Sequence, residues 1–459
     1  MKQSLFLLFF LMGKLSFAQN IGINTQDPLQ QLDVNGKIKI GNDNAAPVEG
    51  SIRYNSFMKD FEGFNGTNWV SLTASYSSAP SVIKSTTAQY LGSSVAIYGN
   101  YAVVGAAESL STCGPTYTQT GRIYVYKKVG NEWLFFQDIT PVVNFCHNNL
   151  GEQVAIFENY IAIAERKTFD NSGNVYIYKL IGNTWTYLQS IQASIFLSSE
   201  YFGSSISLYG NYLAVGAKGL AEQPGKIGRV YVFENNGNNF IEVQRIDNPD
   251  NDTHDRFGFT VAIDSTHLIV GSPSAVVGGN AEQGKVFTFK KQQGGNWIYA
   301  NTLIRTLGEP YDHFGESVTL DKENLIIGCP DFDIGGVLIN TGAAFLITKD
   351  PQGEFTMDDI SIITDPEEAS GKRFGFRVAV NDNKLIVAAW GSGNNGSAVL
   401  YTKENNQWGF KRIIERGVPA TNFYWIGIAV NGFNYGIGSP LYPDNFYPVG
   451  KIALGDIRY

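Results

Sequence analysis

One signature recurs along this chain and leaves few folds open to it. A bulky apolar residue followed by glycine stands at Leu91-Gly92, Leu150-Gly151, Phe202-Gly203, Phe257-Gly258, Phe314-Gly315, Phe374-Gly375 and, in weaker form, Ile426-Gly427, at intervals of 52 to 60 residues. Repeats of that period belong to solenoids or propellers. In the first copy the signature opens Leu91-Gly92-Ser93-Ser94-Val95-Ala96-Ile97. A Gly99-Asn100 turn, Tyr101-Ala102-Val103-Val104-Gly105-Ala106, a loop, Gly121-Arg122-Ile123-Tyr124-Val125-Tyr126 and then Trp133 follow. Each later copy runs through the same series.

The interior of the unit favours a ring. The third and fifth residues after the glycine are branched and apolar, as in Val95 and Ile97, Val154 and Ile156, or Val261 and Ile263, with Ala96, Ala155 and Ala262 between them. Successive residues of a strand face opposite sides, so each sheet has a bulky face and a small-residue face, both apolar. Radially stacked sheets suit that pattern, because the bulky face of one fills the space left by the small residues of the next. A sheet with one face in water would alternate apolar with charged residues instead. A second strand follows a short turn, as in Leu213-Ala214-Val215-Gly216-Ala217, and a third begins at glycine after a longer loop, as in Gly173-Asn174-Val175-Tyr176. A fourth starts near an aromatic residue: Trp133, Trp185, Phe240, Trp297, Phe355 or Trp408. The expectation is an all-β chain: a seven-bladed β-propeller of four-stranded antiparallel blades over residues 87–459, preceded by a small β-rich N-terminal module. The last copy stops after Lys451-Ile452-Ala453-Leu454, short of a fourth strand. Because a ring removes open strand edges by closing, Val82-Ile83-Lys84 or Trp69-Val70-Ser71-Leu72 is expected to supply it.

Residues 1–18 combine Lys2, an apolar run from Leu5 to Met12 and Ser16-Phe17-Ala18, the pattern of a secretory signal peptide cleaved before Gln19. Interrupted by Lys14, that run falls short of the roughly 20 residues that span a bilayer. The mature chain is therefore expected to be secreted or held at the cell surface, with no membrane span. Residues 19–73 are short alternating runs broken by Asn-Gly turns, which read as β-hairpins. So small a module buries little core alone, and it is expected to pack on the propeller or on other copies of itself, a route to a homo-oligomer. Its Leu32-Asp33-Val34-Asn35-Gly36 and Phe61-Glu62-Gly63-Phe64-Asn65-Gly66 stretches resemble modules at the front of bacterial surface and phage tail-fibre-like proteins, a resemblance that implies presentation. Residues 74–86 read as a linker that includes the ring-closing strand. The 50 glycines, 24 tyrosines and 30 phenylalanines fit an all-β protein with a large core. A net charge of −8, without a basic cluster, argues against a nucleic-acid partner.

The bulky-Gly-x-Ser-Val opening, followed by Val103-Val104-Gly105-Ala106 or Ile269-Val270-Gly271-Ser272-Pro273, resembles the FG-GAP repeat. That repeat is the blade of the seven-bladed propeller heading integrin α chains and of many bacterial exported proteins. Integrin-type blades carry aspartate-rich calcium loops between first and second strands, because Ca²⁺ needs six to eight oxygens. Here those hairpins are as short as Tyr98-Gly99-Asn100, Asp264-Ser265-Thr266-His267 and Asp321-Lys322-Glu323-Asn324, so their Asp and Asn read as turn formers. No cofactor is expected. The one stretch that could gather on Ca²⁺ is Asp247, Asp250, Asp252 and Asp255, whose alternative is a solvated acidic turn; Asp331 and Asp333 are a second, smaller cluster.

The chemistry expected is recognition. His147, His254 and His313 each come shortly before an opening glycine, on the face where inter-blade links gather with the loops joining second to third strands. Those loops, residues 108–120, 218–227, 274–283 and 331–341, differ most between copies, and divergent loops on a repeated frame are how a scaffold hosts binding. Tyr117, Tyr311, Phe332 and Tyr424 are candidate exposed aromatics for an extracellular protein or glycan. Cys113 and Cys146 emerge on the same face and are a candidate disulfide; Cys329 replaces the Ala or Ser of other blades and reads as a buried free thiol. The rival class is a secreted hydrolase or lyase. Glu152 and Glu316 stand at equivalent positions of blades two and five, with Arg377 in blade six, and could converge near the axis as an acid pair. Gly391-Ser392-Gly393-Asn394-Asn395-Gly396 spells a dinucleotide fingerprint but joins two strands and opens no helix, so it reads as a loop. A third option is a structural part of a surface appendage.

Overall fold

A computed structural model of the chain describes residues 81–457 apart from positions 85–89, 108–109, 114–115, 120, 141–148, 166–171, 196–198, 220–227, 253, 336–337, 359, 391–395, 417–426, 440–442, 445–446 and 449. Of the first 80 residues it describes 21–23, 32–34, 48, 50–55, 60–64 and 69–71. The chain divides into two units, Met1–Ser77 and Ser78–Tyr459.

In the first unit Ile52–Asn55, Asp60–Phe64 and Trp69–Ser71 form an antiparallel meander. Ile21–Ile23 pairs with Leu32–Val34 in parallel, where a hairpin was expected. Parallel pairing needs a crossover rather than a tight turn, and the eight residues between these strands are too many for a two-residue turn.

The second unit is a propeller. Its first blade is built of Leu91–Tyr98, Tyr101–Ala106, Arg122–Val129 and Glu132–Ile139, and its second of Leu150–Phe157, Tyr160–Glu165, Asn174–Ile181 and Thr184–Ile191. Blades three to six repeat that antiparallel order, and the seventh holds Ile428–Asn431, Asn434–Ser439 and Lys451–Asp456. Its outer strand is Ser81–Lys84, paired with Lys451–Leu454. Of the two segments offered for closure, the nearer one is used, since Trp69–Ser71 pairs with Phe64, Gly63 and Glu62. In the fifth blade the outer strand begins only at Ile360; Phe355 lies ahead of it, buried edge-on against His267 of the fourth blade.

The core lies between blades. Seven hydrophobic clusters each span one interface: Val103, Ile123 and Val125 of the first blade meet Val154, Ile156 and Tyr178 of the second, and Ile452 and Leu454 of the seventh meet Leu91 and Val95 of the first. The repeated glycines are explained by how closely these sheets approach. A β-carbon on Gly216, in a second strand, would lie 2.1 Å from the carbonyl oxygen of Gly258 in the next blade, and the Ser205 hydroxyl donates to that same oxygen at 2.9 Å. The equivalent bonds run from Ser94 to Gly151, Thr260 to Gly315 and Ser317 to Gly375. The serine of the repeat is thus a clasp between blades. A second clasp, not anticipated from sequence, sits on the outer strands. Gln189 brackets Phe240 of the next blade, accepting from its N–H at 2.8 Å and donating to its carbonyl at 3.0 Å, and Gln137 and Gln244 do the same to Trp185 and Trp297.

Candidate functional site

Each inner strand starts near the axis. Gln153, Ser205, Thr260, Ser317, Arg377 and Ile428, one from each of blades two to seven, line a single cavity of about 220 Å³, which places it at the axis. A neighbouring cavity of about 290 Å³ shares Lys218, Phe259 and Arg377 with it and spreads over blades three to six. There the link residues Arg256, His313 and Arg373 meet Ser274 and Asp331 of the second-to-third-strand loops.

The links reach this position through a sharp turn. Arg256, His313 and Arg373 directly precede the bulky residue of the signature and adopt positive φ of 57°, 54° and 52°, as do Tyr90, Asn149 and Tyr201 in blades one to three. That left-handed conformation costs a non-glycine residue about 1 kcal/mol or more. It is held because Phe257, Phe314 and Phe374, the residues that follow, are fully buried.

Five basic and two acidic side chains line the larger cavity, in a chain of net charge −8. The His313 ring lies between two carboxylates, with Asp331 Oδ2 at 2.8 Å from Nδ1 and Glu282 Oε2 at 3.0 Å from Nε2. Burial pulls its pKa down, but the two carboxylates outweigh burial and hold it above the ordinary histidine value. Asp331 also meets Arg373 Nε at 2.6 Å, and Arg373 stacks on Trp390. Deeper in, burial pushes the Glu316 carboxyl upward while Arg377 draws it back, and burial lowers the Arg377 pKa against the attraction of Glu316 and Glu152. Arg377 Nη1 donates to the Phe376 carbonyl at 2.7 Å and stands 3.9 Å from Glu316 Oε1.

Of the residues singled out from sequence, His313 is in this cavity and Glu316 and Arg377 meet at its floor, while buried Glu152 acts on Arg377 electrostatically. The acid pair read from sequence is therefore centred on an arginine. Tyr311 is exposed and, like His313, has a positive φ. Phe332 is a correction: it is half-buried, edge-on to Phe345 with the Arg305 guanidinium 4.5 Å from its ring centre, so packing rather than display occupies it. His254 is exposed beside Asp252, away from the cavity lining. Tyr117 and Cys113 belong to a two-stranded hairpin, Leu110–Cys113 with Thr116–Gln119, of which the backbone is described. Cys146, His147, Tyr424 and most of the glycine-rich run at 391–396 lie outside the described residues.

The acidic stretch does not converge. Asp247 pairs with Arg229 and Arg245, Asp250 with Lys285, and Asp252 caps the His254 N–H. Asp255 is buried, accepting from the Phe257 N–H and from Asn248 Nδ2 at 2.7 Å, and burial pushes its pKa up to about 6. Asp333 accepts from the Asn340 N–H at 2.6 Å. Asp264 and Asp321 turn their hairpins as expected, each accepting two backbone N–H groups. Among the described residues no three His, Cys, Asp or Glu side chains are arranged to hold a metal ion. Cys329 is a buried free thiol whose pKa burial raises. Arg373 went unremarked in the sequence, and Lys218 entered only as the first residue of the variable loop at 218–227, because their meeting depends on the ring, not on spacing along the chain.

Residues 185–233 and 240–289 match the family model described as FG-GAP repeat. Each match starts at the outer strand of one blade and ends at the third strand of the next, so the sequence repeat is offset from the structural blade. No curated protein matches the chain.

Proposed function

We propose that this seven-bladed propeller of FG-GAP repeats is an exported, non-enzymatic binding or adhesion protein, mounted or oligomerised through its N-terminal module. The observation that carries the reading is the pair of adjoining cavities on the face where links and loops gather. They are framed by inner strands clasped blade to blade, and a rigid frame under variable loops favours recognition at low entropic cost. Export is supported by the composition of residues 1–18. The ligand class is an extracellular protein or glycan. A glycan and matrix-protein array probed with the mature chain tests this: selective binding without turnover is expected, and uniformly absent binding overturns it. Binding is expected to be unchanged by Ca²⁺, since the carboxylates at 247, 250, 252 and 255 already have partners. The rival reading, a hydrolase or lyase, is supported by the upward-shifted carboxyl of Glu316 in the cavity. Release of cleaved product from an arrayed glycan would favour it.

A further inference from the structure

We propose that the cavity shared by Lys218, Phe259 and Arg377 binds a uronic acid residue of an acidic polysaccharide, with the sugar carboxylate held by the Arg377 guanidinium. This rests on the binding role above and names its ligand. The first ground is the position of Arg377. Ser94, Ser205, Thr260 and Ser317 stand two residues after the opening glycine of their blades and donate to the next blade's glycine carbonyl. At that position blade six has an arginine. Blades two and seven also lack a hydroxyl there, with Gln153 and Ala429, so closing the ring does not call for the arginine in particular.

The second ground is the state of its donors. A guanidinium carries five N–H groups in a planar fork that matches a carboxylate. Among the described residues Arg377 makes one hydrogen bond, to its neighbour's carbonyl, and Glu316 at 3.9 Å lies beyond hydrogen-bond reach. The side chain is 22% exposed and lines both cavities, so the rest of the fork is open to them. Lys218 also lines both, its ammonium 4.9 Å from the Phe259 ring centre, and adds a second positive charge.

The remaining walls favour a sugar over a peptide. Phe259 and Phe376 also line the larger cavity, each with a cation over its ring, the Lys218 ammonium at 4.9 Å and the Arg377 guanidinium at 4.4 Å, so they fix the two positive groups beside the apolar carbons of the sugar. Ser205, Thr260 and Ser317 have committed their hydroxyl protons to blade carbonyls, which leaves lone pairs toward the axial cavity to accept from sugar hydroxyls. A sugar ring brings several hydroxyl donors to these acceptors where a peptide unit brings one N–H. At about 290 Å³ the cavity lies near the lower end of ligand sites, roughly 300–1,000 Å³.

The test is calorimetric titration of the mature chain with trigalacturonate, with maltotriose as the neutral sugar and poly-L-glutamate as the acidic peptide. Trigalacturonate alone is expected to bind. Arg377→Ser places at this position the small hydroxyl that four other blades carry, so it is expected to fold and to melt close to the native chain while binding falls about 10- to 100-fold, the range for lost hydrogen bonds to a charged group. Arg377→Lys keeps the charge without the fork and is expected to recover little; Lys218→Gln is expected to weaken binding several-fold. Trigalacturonate binding that survives in Arg377→Ser overturns the site, and binding of poly-L-glutamate in place of trigalacturonate overturns the sugar. Array ligands held equally by native chain and Arg377→Ser, with no uronate binding, would overturn this inference and leave the broader binding role standing.

Discussion

Replacing Gly216 with alanine tests whether blade spacing is what the repeated glycines provide. Gly216 does not have a positive φ, so an alanine there meets a problem of space rather than of backbone strain. Its β-carbon would fall 2.1 Å from the Gly258 carbonyl oxygen and 2.2 Å from Ser205 Oγ, the two atoms of the inter-blade hydrogen bond. Relief requires blades three and four to separate or Ser205 to rotate out of its bond. Overpacking costs about 1–3 kcal/mol, and a buried hydrogen bond lost with its carbonyl unpaired costs about 1–3 kcal/mol more. Reduced freedom of the unfolded chain returns about 0.4–1 kcal/mol, which leaves a net loss of roughly 2–4 kcal/mol. The comparison is Gly409→Ala, on the outer strand of blade six, where an added β-carbon meets nothing within 4 Å and φ is again not positive. That change is expected to be neutral within about 0.5 kcal/mol. Urea denaturation followed by tryptophan fluorescence gives both values. If the two alanines lie within about 0.5 kcal/mol of each other, close blade approach is not what glycine serves here.

The outer clasp predicts that Gln189→Leu costs about 2–3 kcal/mol by the same assay, because the N–H and carbonyl of Phe240 both lose their side-chain partner. Removing residues up to Lys84 takes away the outer strand of blade seven and bares the edge Lys451–Leu454. Concentration-dependent association in sedimentation velocity is expected, and a monomer as stable as the parent would refute closure by that strand. Asp255 predicts a pH dependence. Its folded pKa, about 6, lies above the ordinary 3.8, so the native state holds the proton more tightly than the unfolded one. The resulting stabilisation is present in full below the unfolded value and is lost as pH rises through the folded one, by about 3 kcal/mol. Between pH 4 and pH 7, Asp255→Ala is expected to remove that component of the decline, measured as the difference in unfolding free energy between the two chains.

The blade architecture was legible in the sequence because it is local and repeated. Val95, Ala96 and Ile97 reveal a sheet apolar on both faces, and the spacing of seven glycines counts the blades. The loop face was legible too, since alternating strand directions decide which connections share a side. The outer glutamines were missed because nothing near Gln189 in sequence signals a backbone partner at Phe240, a whole repeat away. Phe332 was misjudged for the same reason: the Arg305 that covers it comes from the preceding blade.

By itself the sequence determined the β class and the sevenfold repeat, each a property of neighbouring residues. Only the tertiary structure decided that Ser81–Lys84 closes the ring, and that Lys218, His313 and Arg377 line adjoining cavities while Asp247, Asp250, Asp252 and Asp255 find separate partners. Strand periodicity dictates which way a side chain faces within its sheet. Which side chains of different sheets then meet depends on the curvature of the closed ring, and that curvature emerges only when all seven interfaces pack at once.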